Sequence, residues 1–298
     1  MMIDASNLEE LASALEASPD YRILRRLRPR PRLADFDDAE TRMGLLVDVE
    51  TTGLDPEQDE IIELAMVPFR YTLNGEVVEV LEPFDRLREP AKPISPEITA
   101  LTGITDAMVS GQSIDPSEVT AFAGPAHVVI AHNAAFDRRF LERFSPVFST
   151  KPWACSMSEI DWAAEGFEGT KLSYLAMAFG FFYDRHRAAN DCLAAIEILA
   201  RELSRARVPA LAKLLEHARL PTWRIWAENS PFECKDLLKA RGYRWNGEEN
   251  GKPRSWYVDI ADAEKDAEIA YLLREIYRYE ADVRTVRITA YDRFSTRV

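Results

Sequence analysis

A short apolar strand in the sequence carries two carboxylates near its end. The segment Asp48-Val49-Glu50-Thr51-Thr52-Gly53 follows the run Gly44-Leu-Leu-Val, and its two acids are two positions apart. Side chains alternate along a strand, so Asp48 and Glu50 are expected on the same face. Two carboxylates that leave an apolar strand together are costly unless a cation lies between them. The spacing therefore indicates a cation site.

Two further segments place an acid at the start of a helix. In His132-Asn133-Ala134-Ala135-Phe136-Asp137 the acid lies in the first turn of a helix that follows a buried strand. In His186-Arg187-Ala188-Ala189-Asn190-Asp191 a loop histidine precedes the acid. Singly, these acids have a simpler interpretation as turn residues or as helix-start acids favoured by the helix dipole, and His186 as an exposed loop residue. Three such segments in this order indicate one site instead.

The elements that must position these residues follow a regular order from Gly44 onward. Strand patterns cover residues 44–49, 61–71, 77–84 and 128–131, and Asn74-Gly75 predicts a hairpin between the second and third. Helical patterns cover residues 94–108, 117–123, 135–144, 172–179 and 190–205. A hairpin followed by alternating strands and helices predicts an α/β fold, in which helices flank a mixed sheet.

Composition limits the classes of protein to which the chain can belong. Its 298 residues predict one large domain with attachments, or two domains. No run approaches the ~18 apolar residues of a membrane span, and residues 1–10 lack a signal-peptide pattern. The scattered Cys155, Cys192 and Cys234 exclude a disulfide framework and a structural zinc cluster, and they are typical of a reducing compartment. We therefore expect a cytoplasmic protein with no membrane partner.

The net charge of −13 is unusual for a protein that binds nucleic acid. All of it lies in residues 1–220, because residues 221–298 hold 14 basic and 14 acidic side chains. A site built from metal-binding carboxylates explains part of that acidity, since bound metals neutralise it locally. The charge therefore does not exclude a nucleic-acid partner.

Together, the three acidic segments resemble the motifs of the DnaQ-like, or DEDDh, 3′–5′ exonuclease family, which includes the proofreading subunit of bacterial replicative polymerases. In order, they match its Asp-x-Glu-x-Thr-Gly, His-Asn-x-x-Phe-Asp and His-x-Ala-x-x-Asp motifs. Ile61-Ile62-Glu63 and Leu101-Thr102-Gly103-Ile104-Thr105 match intermediate landmarks, so the resemblance covers about residues 44–205. It implies a ribonuclease H-like fold and a set of metal ligands: Asp48, Glu50, Asp137 and Asp191.

This resemblance implies hydrolysis of phosphodiester bonds with two metal ions. Hard oxygen ligands favour Mg²⁺, for which Mn²⁺ can substitute. Two such ions ~3.5–4 Å apart stabilise the attacking and leaving oxygens of an in-line displacement. His186 occupies the position of the family's general base, and a histidine suits that task at neutral pH. The expected product is a nucleoside 5′-monophosphate released from the 3′ end.

Family resemblance also implies contacts with substrate. Thr51 and Thr52 lie where relatives hold the terminal nucleotide. Leu54 and Leu101 lie where relatives wedge an apolar side chain against the last bases, although a leucine is more often part of a core.

The second motif and its neighbours have secondary roles in this scheme. His132 and Asn133 are expected to orient the strand end beside Asp137. Glu63 is interpreted as a supporting or structural residue, and Cys192 as a helix residue that faces the core.

Residues 1–43 read as an extension of the predicted exonuclease domain, which covers residues 44–207. A helix capped by Asp4 or Ser6 is expected to run to about Glu16, followed by a basic stretch with arginines at 22, 25, 26, 28, 30 and 32. We favour a solvated, partly extended linker for this stretch. The alternative is an arm that contacts phosphates beside the active site.

Residues 221–298 predict a small α+β domain. Its expected order is a strand, a helix at 232–241, a hairpin through Asn246-Gly247, a long helix at 261–279 and a last strand near Val286. Trp223, Trp226 and Trp245 are interpreted mainly as its core, with stacking on unpaired bases as the alternative. The candidate phosphate contacts are basic side chains: Lys235, Lys239, Arg241, Arg244, Lys252 and Arg254. A polymerase-contact or self-association surface is equally open.

These observations favour a freestanding Mg²⁺-dependent 3′–5′ exonuclease that acts on DNA. An exoribonuclease or RNA-trimming enzyme is the nearest alternative, since the motifs do not separate the two substrates. A polymerase-associated proofreading subunit, or a scaffold subunit with vestigial catalysis, is another. The intact acids and histidine argue against a vestigial site. Expected partners are nucleic acid, with DNA favoured over RNA, and a DNA polymerase or another replication or repair protein.

Overall fold

A computed structural model describes residues 7–35 and 40–298, so the proposed cap residues Asp4 and Ser6 lie outside the described part. The chain divides into two compact units, with the first ending at Leu214 and the second beginning at Leu215. Within the described residues, no helix combines the length and apolar character needed to cross a membrane.

The first unit is built on a six-stranded mixed sheet. Its strands are β2 (Thr41–Thr51), β3 (Ile61–Thr72), β4 (Val77–Val80), β5 (Phe84–Leu87), β6 (Val128–Ala131) and β7 (Trp153–Cys155). The order is β4-β3-β2-β6-β7, and β5 also pairs with β3. β2 is antiparallel to β3 and parallel to β6, which confirms the predicted mixed sheet. Asn74-Gly75 does connect β3 to β4, and Gly75 adopts φ 81°, a left-handed conformation that glycine permits.

The helices of the first unit are α1 (Leu8–Glu16), α2 (Pro96–Thr102), α3 (Asp106–Val109), α4 (Pro116–Ala123), α5 (Ala134–Phe144), α6 (Leu172–Ala178) and α7 (Ala188–Leu199). A further helix, α8 (Ala210–Arg219), runs across the boundary between the two units. α7 packs against β2 and β3, and its Cys192 is fully buried, as the sequence predicts for a core-facing residue. Nearly every residue of β3 is buried, because packed elements cover both faces of this strand.

Two predicted helices have the wrong extent. The helix at 94–108 is in fact α2 and α3, because Gly103 takes φ 73° and ends α2 in a left-handed cap. The helix at 190–205 begins earlier, at Ala188, and ends at Leu199. Beyond it, Leu203 turns back into the core and donates its N–H to the Val208 carbonyl over 2.9 Å.

The basic stretch near the N-terminus is extended and largely exposed, as the sequence favoured, but it is hydrogen-bonded to strands of the first unit and is not a free linker. Its strand β1 (Arg25–Arg26) pairs in parallel with β8 (Phe181–Phe182). Further along, the Val80 N–H donates to the Pro31 carbonyl over 2.8 Å. Backbone hydrogen bonding to two strands therefore overrides the expectation drawn from charge and proline content.

The second unit contains an antiparallel sheet in the order β10-β11-β9-β12. Its elements are β9 (Thr222–Ala227), α9 (Lys235–Ala240), β10 (Arg244–Trp245), β11 (Trp256–Ala261), α10 (Lys265–Tyr271) and β12 (Thr285–Ile288). A 3₁₀ turn at Phe232–Cys234 precedes α9, and a π-helical segment at Leu272–Tyr277 extends α10. The core contains Ile225, Leu238, Val258, Leu272 and Ile276.

The predicted hairpin through Asn246-Gly247 is present, because β10 and β11 are antiparallel and residues 246–255 connect them; within this loop the Asn246 amide donates to the Pro253 carbonyl over 2.9 Å. Two other predictions for this unit need correction. The long helix predicted at 261–279 is split between 3₁₀, α and π segments over residues 262–277. Trp226 is buried as predicted, but Trp245 is 54% exposed and is not a core residue.

Candidate active site

Three of the predicted acids come together where β2 meets the first turn of α7. β2 carries Asp48 opposite Ala65 and Glu50 opposite Glu63, and α7 carries Asp191. Asp48, Glu50 and Asp191 each offer a carboxylate oxygen within 4.8 Å of the other two. The two strand acids thus share a site, as the alternation of side chains along the strand predicts.

Asp137 stands apart from this group of three. It is buried in the first turn of α5, and one of its oxygens accepts the Val49 N–H over 3.1 Å. After burial itself, the charge of Asp137 is the largest influence that raises the pKa of Asp48, so the two acids are neighbours. Asp137 is therefore anchored to the backbone of the strand that carries the other two acids.

Burial and mutual repulsion disfavour the ionised form of these acids. Burial, followed by the charges of Asp137, Asp191 and Glu50, raises the pKa of Asp48 well above its usual range. Burial first, and then the charges of Asp191 and Glu63, raise the pKa of Glu50 to about 8. Burial likewise raises the pKa of Asp137 to about 7. A convergent set of carboxylate oxygens with unfavourable charge fits a hard divalent cation, which removes the repulsion.

Several donors fix the remaining acid, Asp191. The Tyr183 hydroxyl donates to its Oδ1 over 2.8 Å, while the His186 N–H donates to its Oδ2 over 2.8 Å. His186 has φ 60°, a left-handed conformation that ordinarily costs energy in a non-glycine residue. An interaction with His186 is among the influences that oppose the burial-driven rise in the pKa of Asp191, so the His186 side chain lies near this acid.

The sequence interpretation missed two residues that hold the His186 loop. One is Tyr183, described above. The other is Arg187, whose Nε and Nη2 donate to Oε1 of Glu63 over 3.0 and 2.8 Å. Oε2 of Glu63 accepts the Ala188 N–H over 2.9 Å, so this buried acid ties the start of α7 to β3. No spacing pattern could reveal a partner 124 positions away.

Of the predicted substrate residues, the two leucines are available to a ligand. Leu54 is 83% exposed and Leu101 is 54% exposed, which rules out the core alternative for both. The Thr51 hydroxyl donates to the Gly53 carbonyl over 2.6 Å, and the Thr52 hydroxyl lies 3.1 Å from an Asp59 carboxylate oxygen. Both threonines therefore shape the turn after β2 in this structure.

His132 and Asn133 support the start of α5, which carries Asp137. Burial lowers the pKa of His132 to about 4, so its ring is neutral at pH 7. A neutral ring explains both contacts: Nε2–H donates to the Thr170 carbonyl over 2.8 Å, and Nδ1 accepts the Ser156 hydroxyl over 2.9 Å. Asn133 takes φ 87° and turns the chain from β6 into α5.

A family model described as "Exonuclease" (RNase_T) matches residues 45–199, more than half of the chain. The chain belongs to this exonuclease family. The match contains all three acidic segments and confirms the family recognised from the sequence motifs.

Sequence relatives of this exonuclease include much longer proteins. A DNA polymerase III of the PolC type from Thermotoga maritima is 25% identical over 66% of this chain, and the aligned part is 14% of that protein's length. The corresponding enzyme from Halalkalibacterium halodurans is 44% identical over 33% of this chain and 6% of its own. The chain thus spans a small fraction of these relatives.

Two solved exonuclease structures are similar to this chain to different degrees. Zinc-bound exonuclease I from E. coli, in a complex with single-stranded DNA, has a TM-score of 0.50 at 16% identity, covering 74% of this chain and 63% of that one. Exonuclease X, in a complex with 5′-overhanging duplex DNA, is 27% identical over 57% of this chain and 99% of that one, with a TM-score of 0.42. The likeness to exonuclease I supports the predicted ribonuclease H-like architecture.

Proposed function

We propose that this protein is a metal-dependent 3′–5′ exonuclease that acts on DNA and releases nucleoside 5′-monophosphates. The observation that carries the proposal is the convergence of Asp48, Glu50 and Asp191 within 4.8 Å inside the exonuclease domain. His186 lies in the loop directly before Asp191, and Asp137 lies behind the strand acids. We assign catalysis to residues 44–207 and an accessory role to residues 221–298.

The four acids Asp48, Glu50, Asp137 and Asp191 would hold two Mg²⁺ ions, which Mn²⁺ can replace. When bound there, the ions would supply a nucleophilic water and would stabilise the charge on the leaving 3′ oxygen. His186 accepts the proton of the attacking water and later returns it to bulk solvent. Tyr183 and the loop backbone hold Asp191 in one orientation while this happens.

For the substrate, we propose a single 3′-terminal strand. Leu54 and Leu101 are exposed apolar side chains that can wedge against the last bases. Thr51 and Thr52 are proposed to approach the terminal nucleotide at the end of β2, with His132 and Asn133 orienting the strand end. DNA is favoured because the relatives are DNA polymerases and exonuclease I and exonuclease X are held with DNA. RNA trimming and association with a polymerase remain the competing functions, and a cytoplasmic location remains a prediction.

Matched 5′-labelled DNA and RNA oligonucleotides test the proposal when they are incubated with the protein in Mg²⁺ and in EDTA. We expect a Mg²⁺-dependent ladder that shortens from the 3′ end of DNA and is absent with Asp191→Ala. Glu82→Ala is the matched control, because Glu82 is an exposed acid in the same unit. A ladder on RNA alone would keep the mechanism and change the substrate. No ladder on either strand, or one that survives in Asp191→Ala, would refute the catalytic proposal.

A further inference from the structure

One surface of the second unit groups aromatic rings with lysines. Phe232 is 74% exposed, and the Lys235 Nζ lies 4.3 Å from the centre of its ring. Lys239, one turn further along α9, places its Nζ 5.9 Å from the Trp256 ring. The Trp256 ring in turn lies 5.7 Å from that of Trp245, which is 54% exposed. These five residues form a continuous aromatic–lysine strip.

The two lysines of this strip are available for an external anion. Within the described part of the chain, neither Lys235 nor Lys239 forms an ion pair with a carboxylate. The neighbouring arginines, in contrast, already form ion pairs: Arg241 with Glu268, and Arg244 with Asp259. Of the six basic residues that the sequence singled out as phosphate contacts, these two thus combine a free charge with an adjacent ring.

We infer that the aromatic–lysine strip binds single-stranded nucleic acid, with bases stacked on Trp245 and Phe232 and backbone phosphates on Lys235 and Lys239. Flat rings stack on any unpaired base, and the two lysines beside the rings can contact the phosphates that join those bases. A duplex hides its base faces, so it cannot use the rings. Binding itself requires no catalysis, while its effect on degradation of long strands rests on the proposed exonuclease activity.

Fluorescence anisotropy of a 5′-labelled oligothymidine with the 298-residue protein in EDTA tests binding. Trp245→Ala and Phe232→Ala should each weaken binding roughly 5-fold or more, the usual loss for one stacking ring. Trp245→Tyr should restore most of the affinity, because a phenol ring also stacks. Tyr279→Ala is the matched control, since Tyr279 is 61% exposed and lies outside the strip.

Salt dependence tests the lysines separately. Lys235→Gln with Lys239→Gln should reduce the slope of log Kd against log salt by about 1.4, because each phosphate contact on a single strand contributes about 0.7. Arg274→Gln, at an exposed arginine elsewhere in the unit, should leave the slope unchanged. The inference is wrong if Trp245→Ala binds the single strand as tightly as Tyr279→Ala does. It is also wrong if Trp245→Ala loses as much affinity for a blunt duplex as it loses for the single strand.

A minimal substrate separates this inference from the proposed function. The wild type and Trp245→Ala should hydrolyse the p-nitrophenyl ester of thymidine 5′-monophosphate at equal rates, while Trp245→Ala degrades a long single strand more slowly at low concentration. If the wild type hydrolyses neither substrate, the proposed function fails and the anisotropy result still decides whether the strip binds. If Trp245→Ala slows the minimal substrate equally, the strip is structural.

Discussion

The acids on β2 and the histidine loop are held in place by different kinds of interaction. β2 is hydrogen-bonded to β3 on one side and to β6 on the other, so the sheet itself fixes Asp48 and Glu50. The loop with His186 runs between the two-residue strand β8 and α7. Side chains hold that loop: Tyr183 on Asp191, Arg187 on Glu63 and Arg26 on Asp184.

We therefore expect the acids on β2 and the loop that carries His186 to respond differently to mutation. A strand acid can change its charge with little effect on the fold, because the backbone ladder remains intact. The loop depends on individual side-chain contacts, so its geometry can be loosened in steps. Activity should therefore vanish when strand acids are neutralised and decline gradually when loop contacts are removed.

The largest effect is expected from Asp48→Asn. It removes one ligand charge while keeping the shape of the side chain, so turnover should fall by more than ~10³-fold, since metal stabilisation of the transition state is worth several kcal/mol. Steady-state kinetics on a labelled oligonucleotide measure this, with Glu82→Gln as the control. The metal-free melting temperature should stay the same or rise, because repulsion with Asp137 is relieved. A rate above a tenth of the wild type would show that Asp48 is not a metal ligand.

His186→Ala should cost ~10²–10⁴-fold in kcat, the usual contribution of a positioned general base. Because the imidazole is not proposed as a ligand, the Mg²⁺ concentration for half-maximal activity should not change. His127→Ala, at an exposed histidine whose Nδ1 accepts the Met43 N–H, is the matched control. A shift in the Mg²⁺ midpoint would instead make His186 a metal ligand.

The same division explains which parts were predictable from the sequence. Asp48 and Glu50 follow from strand alternation and motif spacing, and the mixed sheet follows from the order of strands and helices. The ties of Glu63 to Arg187 and of Arg26 to Asp184 join positions 124 and 158 residues apart, and no local pattern encodes them. The pairing of β1 with β8 was missed for the same reason, because charge and proline content describe only local preference.

Ionisation of the acids Glu50 and Asp137 should make the metal-free protein less stable as the pH rises. Above their ordinary pKa, Glu50 and Asp137 still bind protons in the folded state up to about pH 8 and 7, so folding takes up protons that the unfolded chain lacks. The contribution of these two acids to the free energy of unfolding is fully present below their unfolded pKa. It is lost as the pH rises through their folded pKa values of about 8 and about 7.

His132 makes the protein more stable as the pH rises toward its ordinary pKa of 6.5, because its folded pKa is lowered to about 4 and the unfolded chain binds the proton more readily. Between about pH 6.5 and 8 the acids therefore dominate, and the melting temperature in EDTA should decline. The decline should flatten in Asp48→Asn/Glu50→Gln, and Mg²⁺ should raise the melting temperature at pH 8 in the wild type only. A rising melting temperature across this window would contradict the charge repulsion in the site.

The smallest effect is expected from Arg26→Ala, which removes one tie of the histidine loop. Arg26 lies 2.7 Å from Asp184, two residues before His186, and its guanidinium is 5.0 Å from the Phe182 ring. Both charges are exposed, and such a pair is worth about 0.2–1 kcal/mol, so kcat should fall only about 2- to 5-fold.

Arg70→Ala is the matched control for this small effect, because it breaks a surface ion pair with Glu79 on the six-stranded sheet of the same unit. It should leave kcat unchanged while altering the melting temperature as much as Arg26→Ala does. Asp184→Ala should reproduce the loss in kcat, and the double variant should lose no more than either single change, because both remove the same contact. If Arg26→Ala and Arg70→Ala have equal kcat, strand β1 packs against the loop without positioning His186. The contact between Arg26 and Asp184 would then not be one of the side-chain contacts that hold the general base.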